Sequence, residues 1–559
     1  MKPVIIVGAG PVGLGCALEL ARFGVRSVLL EKHAGTSWHP KTRNFNTRTM
    51  EIARGWGHPT YQRLRGIDTP PGWKSPIRFL HTAIGEELGT IDTQGFEGPG
   101  AAISPALPVM SSQDYIEQIL LDAVYASGLV DVRFDTEVTG LLAGGGAEDD
   151  EVAVRVRSRS NGRPKAEETL TGPALVAADG AESMIRTRLG VEREGYLGLN
   201  HLVNCYFRAD IEGRIGDRRG VLFFVNNDYA RGVLQPLDGC GRWLCQISVD
   251  EQDWSLEAYT KDRAAQWVRA AAGVDDLDVE VLSIGLWQIN ATVAERLVAG
   301  RVVLCGDAAH QFPPTGGIGL NTGMQGMHNV MWKLAAYVSG QAGWSLVTTY
   351  DQERRPIAAR ARDQSLQNSI NVIRISQAAA TGEDSGLTPQ QIIAESRRYG
   401  NHLGVEFGAA YRSPAVIDDG TVPPEVDDDF SDYLPSATPG CRAPHVWLGR
   451  DDGRVSTLDL IGDGFLVLAG REGQAWVSAA RDAARLTRVD LSAYVVGTAG
   501  LDDDGTFAAT YGITEQGVVL IRPDGHVGWR STETPCTGTE ITDALRRLLA
   551  AGPALAADL

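Results

Sequence analysis

The residues Gly8-Ala9-Gly10-Pro11-Val12-Gly13 constrain this chain more than any others. They follow a short apolar run, VIIV (4–7), and precede an apolar-periodic stretch, Leu14 to Phe23, that Gly24 ends. Val25 to Leu30 is a second apolar run, closed by Glu31. Strand, glycine turn, helix and strand make the β-α-β unit of a parallel sheet. In that unit the first glycine permits the tight turn and the second lets backbone approach a pyrophosphate. The third lets helix pack on strand, and the helix N-terminus faces the phosphates. Glu31, 18 residues after Gly13, stands where a carboxylate can hydrogen-bond a ribose diol. An acid rather than an arginine at that strand end favours FAD or NAD over NADP.

Composition removes several classes. Hydrophobic residues are 43% and charged residues 22% of 559, enough to bury a substantial core. The net charge of −18 argues against a nucleic-acid partner and against anionic lipid. No uninterrupted apolar run reaches the roughly 18–20 residues of a membrane span. Glycines at 8, 10, 13 and 15 and then Glu19 break any secretory h-region in the N-terminal apolar stretch. The seven cysteines are scattered and form no CxxC, so neither a disulfide framework nor a thiolate metal site is expected. A reduced, cytoplasmic protein without a metal follows.

Further along, QDYIEQILLDAVYASG (113–128) reads as an amphipathic helix, and ALVAADGAESMIR (174–186) as a buried strand leading into a turn and helix. Residues from about 190 to 290 alternate as short strands, VLFFV (221–225) and WLCQISV (243–249) among them, suggesting an antiparallel sheet beside the first domain. RVVLCGDAAH (301–310) returns to a buried strand, a second glycine turn and a long helix from about Gly323 to Ser339. Residues 412–440, with several prolines and EVDDDFSDY (425–433), have the composition of a linker. Strand and helix segments beyond it suffice for one small α/β domain.

The second turn, Gly306-Asp307 to Pro313-Pro314-Thr315-Gly316-Gly317-Ile318-Gly319-Leu320-Asn321, is again strand, loop and helix start. A carboxylate there can bind a ribityl hydroxyl, and N–H groups at a helix N-terminus can stabilise negative charge on a reduced ring. GDAAHQFPPTGGIGLNTG resembles the flavin motif of the single-component FAD-dependent aromatic hydroxylases, the p-hydroxybenzoate and phenol hydroxylase class. ADGAESMIR (178–186) is similar to that family's DG motif, with Asp179, Gly180, Ser183 and Arg186 in place. HPKTRNFNTRTMEIARGWG (39–57) resembles its early loop, and TYDQERRPIA (349–358) the segment after its long helix. Four motifs in order cover about residues 1–365. PGCRAPHVWL (439–448) and VLIRPDGHVGW (519–529) resemble the thioredoxin-like extension of the branch that tailors phenols and aromatic polyketides.

The resemblance implies an α/β fold: a Rossmann-type FAD-binding domain with an inserted antiparallel-sheet substrate domain and a C-terminal thioredoxin-like α/β domain. Residues 1–75, 108–190 and 290–410 would form the discontinuous FAD-binding domain, and 76–107 and 191–289 the substrate sheet. Residues 411–440 would be the linker and 441–559 the thioredoxin-like domain without CxxC. It places Gly8, Gly10 and Gly13 at the pyrophosphate, Glu31 at the adenosine ribose with Lys32 beside it, and Arg43 and Gln113 along the phosphate and ribityl chain. Asp307 would bind the ribityl or pyrophosphate portion, with Gly319, Leu320 and Asn321 at the isoalloxazine. Asp179 belongs to a motif linked to both FAD and NAD(P)H. Lys41 stands where arginine is usual, and Gly326-Met327 replaces the usual Asp-Ala, which questions helix capping there.

The implied activity is hydroxylation of a phenolic or polycyclic aromatic, polyketide-like substrate by NAD(P)H and O2 through a flavin C4a-hydroperoxide, with FAD held tightly but non-covalently. A single dinucleotide fingerprint leaves NAD(P)H as a transient visitor. Pro314 is implied to turn its backbone carbonyl toward the reacting oxygens; no base is assignable, and His310 and His39 read more readily as structural. Phe207, Phe223, Phe224, Tyr229, Trp243 and Trp287 are as compatible with core as with a pocket wall, Arg231 reads best as a surface residue, and Cys240 and Cys245 as inert packing on neighbouring strand positions. Alternatives are a same-fold flavoprotein performing epoxidation, Baeyer-Villiger or decarboxylative oxidation, a non-catalytic FAD- or ligand-binding partner, and, weakly, a thiol oxidoreductase. A homo-oligomer is compatible with the fold.

Overall fold

The computed structural model describes residues 2–146, 149–160, 163–164, 166–451, 453–498 and 500–550. Val4–Val7, Pro11–Arg22 and Ser27–Leu30 form the expected strand, helix and strand. Every residue of both strands is buried, as in a parallel sheet covered on both faces. Among the described residues that sheet has six strands, in the order 298–299, 302–304, 175–177, 4–7, 27–30 and 130–133. All neighbours are parallel except the edge pair of 298–299 with 302–304. The helices Pro11–Arg22, Gln113–Ser127 and Gly319–Val338 pack apolar residues against it in one core.

A second sheet of eight strands is built from 77–80, 87–91 and the segments between 193 and 311. Its two longest strands, Arg193–Arg208 and Glu280–Ala294, run antiparallel, and the last short strand, His310–Gln311, pairs with 292–293. That last pairing delivers the second glycine turn directly onto the sheet's edge. One face is closed by the helix Lys261–Ala272, with Phe207, Phe223 and Trp243 fully buried beneath it. Those three aromatics are core. Phe224 points to the other face and stacks on Phe79 at 5.1 Å, Tyr229 is exposed, and Trp287 is half-buried.

The third sheet, Leu491–Val495, Phe465–Ala469, Val518–Ile521 and Val527–Ser531, has one parallel pair followed by two antiparallel pairs, with helices Gln474–Thr487 and Glu540–Ala550 on it. This is the thioredoxin-like arrangement; of the segment assigned to it, residues 551–559 lie outside the described part. It shares a core with Trp332, Ala336 and Leu346 of the FAD-binding helices. A buried ionic cluster reinforces the seam: Glu353 accepts from Arg522 at 2.7 and 2.9 Å and from Lys333 at 2.6 Å, and Arg522 also reaches Asp524. Arg442 likewise pairs with Glu51 of the early loop.

Two local expectations change. The long helix begins at Gly319, not Gly323, so Gly326 is mid-helix and no cap is needed there; a methyl on it would meet the Tyr350 hydroxyl at 3.1 Å. Cys240 lies in the turn before strand Arg242–Val249, because Asp238 accepts from its N–H and tightens that turn. Only Cys245 is on a strand, opposite Cys205. Residues 412–440 carry no helix or strand yet are tied down, by Ile417 N–H to Gly528 O, Arg530 to Asp419 and Phe430 buried beside Phe312.

Candidate active site

The three glycines of the first turn are required for three different reasons. Gly8 has φ +101, and a methyl there would lie 2.2 Å from Ala178 O. A methyl on Gly13 would lie 1.9 Å from Gly8 O, so only glycine lets the helix come this close to the strand. Gly10 has φ −70 and nothing within 4 Å of a methyl. Its lack of a side chain serves no protein contact, and the open space beside it lies at a helix N-terminus. Glu31 closes the turn: its carboxylate accepts from Ala9 N–H and from His33 N–H, each at 2.9 Å. Lys32 is exposed next to it.

The second turn rises from the strand Val302–Leu304, separated from Val4–Val7 only by Leu175–Ala177. Both glycine turns and the DG motif therefore lie at the carboxyl ends of adjacent parallel strands, the place where such sheets bind ligands. Arg186 locks two of them together, donating to Ala308 O and Ala181 O, both at 3.2 Å. Asp179 accepts from Ile185 N–H through one oxygen; its other oxygen is buried without a partner, and burial pushes the carboxyl up. Asp307 is open to the crevice yet crowded by protein, which raises its carboxyl above the usual range while Lys41 pulls it back.

At the end of the second turn, Gly319, Leu320 and Asn321 form the first turn of the helix Gly319–Val338, and their N–H groups have no acceptor among the described residues. The Asn321 side chain is otherwise engaged. It accepts from Asn46 N–H and the Thr49 hydroxyl and donates to Asn44 O and Gly317 O, which fastens the early loop to this helix. Leu320 packs on the main core. Gln113 is buried, accepts from Thr42 N–H at 3.3 Å and donates to Glu117 at 2.6 Å. The Pro314 carbonyl accepts from Gly317 N–H at 3.1 Å, which leaves one lone pair free. His310 is buried in a stack on Phe312, and burial, with Arg354 nearby, takes its pKa to about 3, which keeps the ring neutral; its Nδ1 is buried without a partner. Burial also lowers His39, which rests edge-on to Tyr206.

Arg43 departs from the phosphate contact implied for it. Its guanidinium enters the eight-stranded sheet, donating to Gln235 Oε1 at 3.2 Å, Pro236 O at 2.6 Å and Val221 O. All three acceptors are neutral, and burial lowers the pKa to about 10. Gln235 in turn donates to Gln246 at 3.0 Å. By register Asn204, Gln246, Val233 and Phe224 share one face of that sheet, opposite the face beneath Lys261–Ala272. This face is half polar, and the Asn204 side-chain Oδ1 is buried without a partner. Tyr399 lies beside both Arg43 and Gly316, joining this wall to the second turn. It stands beyond the region that resembles the hydroxylases, so no motif singles it out. Arg231 is exposed, as its surface reading requires.

The glycine cradle, the exposed acid on the second turn, the unsatisfied helix N-terminus and the orphaned Asp179 oxygen suit FAD: N–H donors for phosphates and acids for hydroxyls. Among the described residues no cluster of His, Cys, Asp or Glu could hold a metal, and no helix is long and apolar enough to cross a membrane.

Comparison with known proteins agrees. The FAD binding domain family matches residues 1–365, and the aromatic-ring hydroxylase C-terminal family matches 436–552. The chain is 35% identical to 4-methyl-5-nitrocatechol 5-monooxygenase of a Burkholderia species over 98% of this chain and 97% of that one. It is also 35% identical to tetracenomycin A2 monooxygenase-dioxygenase of Streptomyces glaucescens, over the same shares. The solved structure of the flavin-dependent monooxygenase PieE with FAD and substrate superposes with a TM-score of 0.89 at 32% identity, covering 98% and 99% of the two chains. With fold, crevice and relatives in agreement, the chain belongs to the FAD-dependent aromatic-ring hydroxylases and has FAD as its cofactor.

Proposed function

We propose that this hydroxylase acts in the cytoplasm on a phenolic or polycyclic phenolic substrate, with NAD(P)H and O2 as co-substrates. Arg43 is the observation that carries the substrate class. It is a buried cation facing only neutral acceptors on the sheet wall. Such a charge favours an anion beside it, and an opposite charge within about 4–6 Å lowers an acid's pKa by roughly 1–3 units. An ionised phenol is that anion, and its ring is the better nucleophile toward an electrophilic oxygen. Gln235 accepts from the guanidinium and donates to Gln246, and the two present amide groups for ring hydroxyls or carbonyls. Bound FAD supplies the redox chemistry, hydride acceptance from NAD(P)H and activation of O2. The chain's part is to cradle the dinucleotide, fix the ring against the sheet and keep water out. The two relatives above are named for a nitrocatechol and for tetracenomycin A2, in keeping with an aromatic pocket. All seven cysteines are free thiols, which suits a reducing compartment.

The test is anaerobic reduction of the bound flavin by NADPH and by NADH, with and without a panel of phenols and aromatic polyketides. A compound that accelerates flavin bleaching by orders of magnitude, and is hydroxylated on admitting O2, supports the reading. Fast reduction of the flavin with no aromatic present, and no hydroxylated product from any phenol, rejects it.

A further inference from the structure

Asn44 is placed oddly for a structural residue. It begins the short strand Asn44–Phe45, which pairs with Val109–Met110, and its carbonyl accepts from Asn321 Nδ2 at 3.1 Å. The residue is only 4% exposed, yet neither its side-chain Oδ1 nor its Nδ2 has a partner among the described residues. The neighbouring amides behave otherwise: Asn46 accepts from Thr49 N–H, and Asn321 fills donor and acceptor alike. Leaving a buried amide group unsatisfied is destabilising, so a buried carboxamide with both ends unmet calls for a ligand.

Position says which ligand. Asn44 Nδ2 lies 3.3 Å from where a methyl on Gly317 would stand, and Gly317 has φ +66 in the turn that leads into the helix Gly319–Val338. The carboxamide thus rests against the very segment whose helical N–H groups are unmet. Arg43, one residue earlier, points the opposite way into the substrate sheet. Adjacent side chains of an extended segment take opposite sides, so the pair divides the crevice: Arg43 on the sheet wall, Asn44 on the second-turn wall.

We propose that the Asn44 carboxamide recognises the pyrimidine edge of the flavin ring. That edge alternates carbonyl, N–H and carbonyl, and a carboxamide offers one acceptor beside two donors. The assignment rests on the FAD reading of the two glycine turns and deepens it, since it adds a side-chain contact to the backbone cradle.

Asn44→Leu keeps the volume and removes both polar groups. The bound flavin is removed, apoprotein is titrated with FAD by fluorescence quenching, and the holoenzyme's visible spectrum and flavin midpoint potential are recorded. Losing up to two hydrogen bonds to the ring is expected to weaken FAD about tenfold to a hundredfold and to move spectrum and potential. Apoprotein stability should hold or rise, because an orphaned buried pair has been removed. Asn44→Ala gives the same comparison should the leucine be too bulky beside Gly317. Wild-type affinity and spectrum in a folded variant overturn the proposal while leaving the FAD reading intact, as does a variant that binds FAD normally but loses only substrate. Equal losses of apoprotein stability and FAD affinity also overturn it, since they mark a packing role. Failure of the wild-type apoprotein to bind FAD would instead sink the reading beneath it.

Discussion

Gly10→Ala separates a glycine kept for the fold from one kept for a ligand. At Gly8 and Gly13 an added methyl would come within 2.2 and 1.9 Å of backbone oxygen, so those substitutions must deform the β-α-β unit. At Gly10 the backbone, φ −70 and ψ 178, suits alanine, and the methyl meets no protein atom within 4 Å. A glycine-to-alanine change without strain stabilises by about 0.4–1 kcal/mol, by restricting the unfolded chain. The apoprotein should therefore resist urea as well as wild type or slightly better. The ligand side has the opposite sign. The methyl would fill the space at the helix N-terminus and hold a pyrophosphate away from the first N–H groups. Losing one charge-assisted hydrogen bond of about 1.5–3 kcal/mol weakens FAD by roughly ten- to more than a hundredfold. Equilibrium unfolding of apoprotein and fluorescence titration with FAD read the two effects separately. FAD binding within twofold of wild type would refute the assignment of this turn to the phosphates. A large loss of apoprotein stability would show that Gly10 is kept for packing after all.

Asp307→Ala should leave a folded protein that loses FAD during purification, checked by flavin content and circular dichroism; full flavin content would remove Asp307 from the site. Arg43→Gln should raise the pH at which a bound nitrophenol ionises by about one to three units, read from its phenolate absorbance. An unmoved transition would show that Arg43 acts only in packing. Glu353→Gln should destabilise by about 3–5 kcal/mol, because Lys333 and Arg522 keep their buried charges with one anion gone; urea unfolding checks it, and a loss below about 1 kcal/mol would contradict the buried-cluster account. Burial would raise the Glu353 and Asp524 carboxyls, but Arg522 outweighs it and holds both low. Their folded pKa values lie below the unfolded ones, so the stability they add is present above about pH 4–4.5 and is lost as pH falls further. Acid unfolding of Glu353→Gln should be correspondingly shallower than that of wild type.

Local patterns of spacing carry the parts that the sequence determines alone. Glycines at fixed offsets between an apolar run and a periodic run permit few backbone paths, and Glu31 lies at the end of the neighbouring strand whatever the rest of the chain does. The second turn is legible for the same reason, though its helix begins four residues earlier than the periodicity suggests, with Ile318 as its N-cap and Gly319 as its first residue. Residues 412–440 look like a spacer because composition does not register partners distant in sequence, such as the Gly528 carbonyl that holds Ile417.

Tertiary structure alone decided which side chains face the crevice. A one-residue step along a strand reverses the face, so Phe223 enters the core while Phe224 reaches the opposite side, and no composition tells them apart. Arg43 reads as a phosphate ligand by motif, yet the insertion of the sheet puts Val221 O, Gln235 and Pro236 O within its reach. Tyr399 meets Arg43 and Gly316, 356 and 83 positions away, and Glu353 meets Arg522, 169 positions away. Bond partners at such separations are fixed by the packing of the whole chain, and a linear pattern holds no record of them.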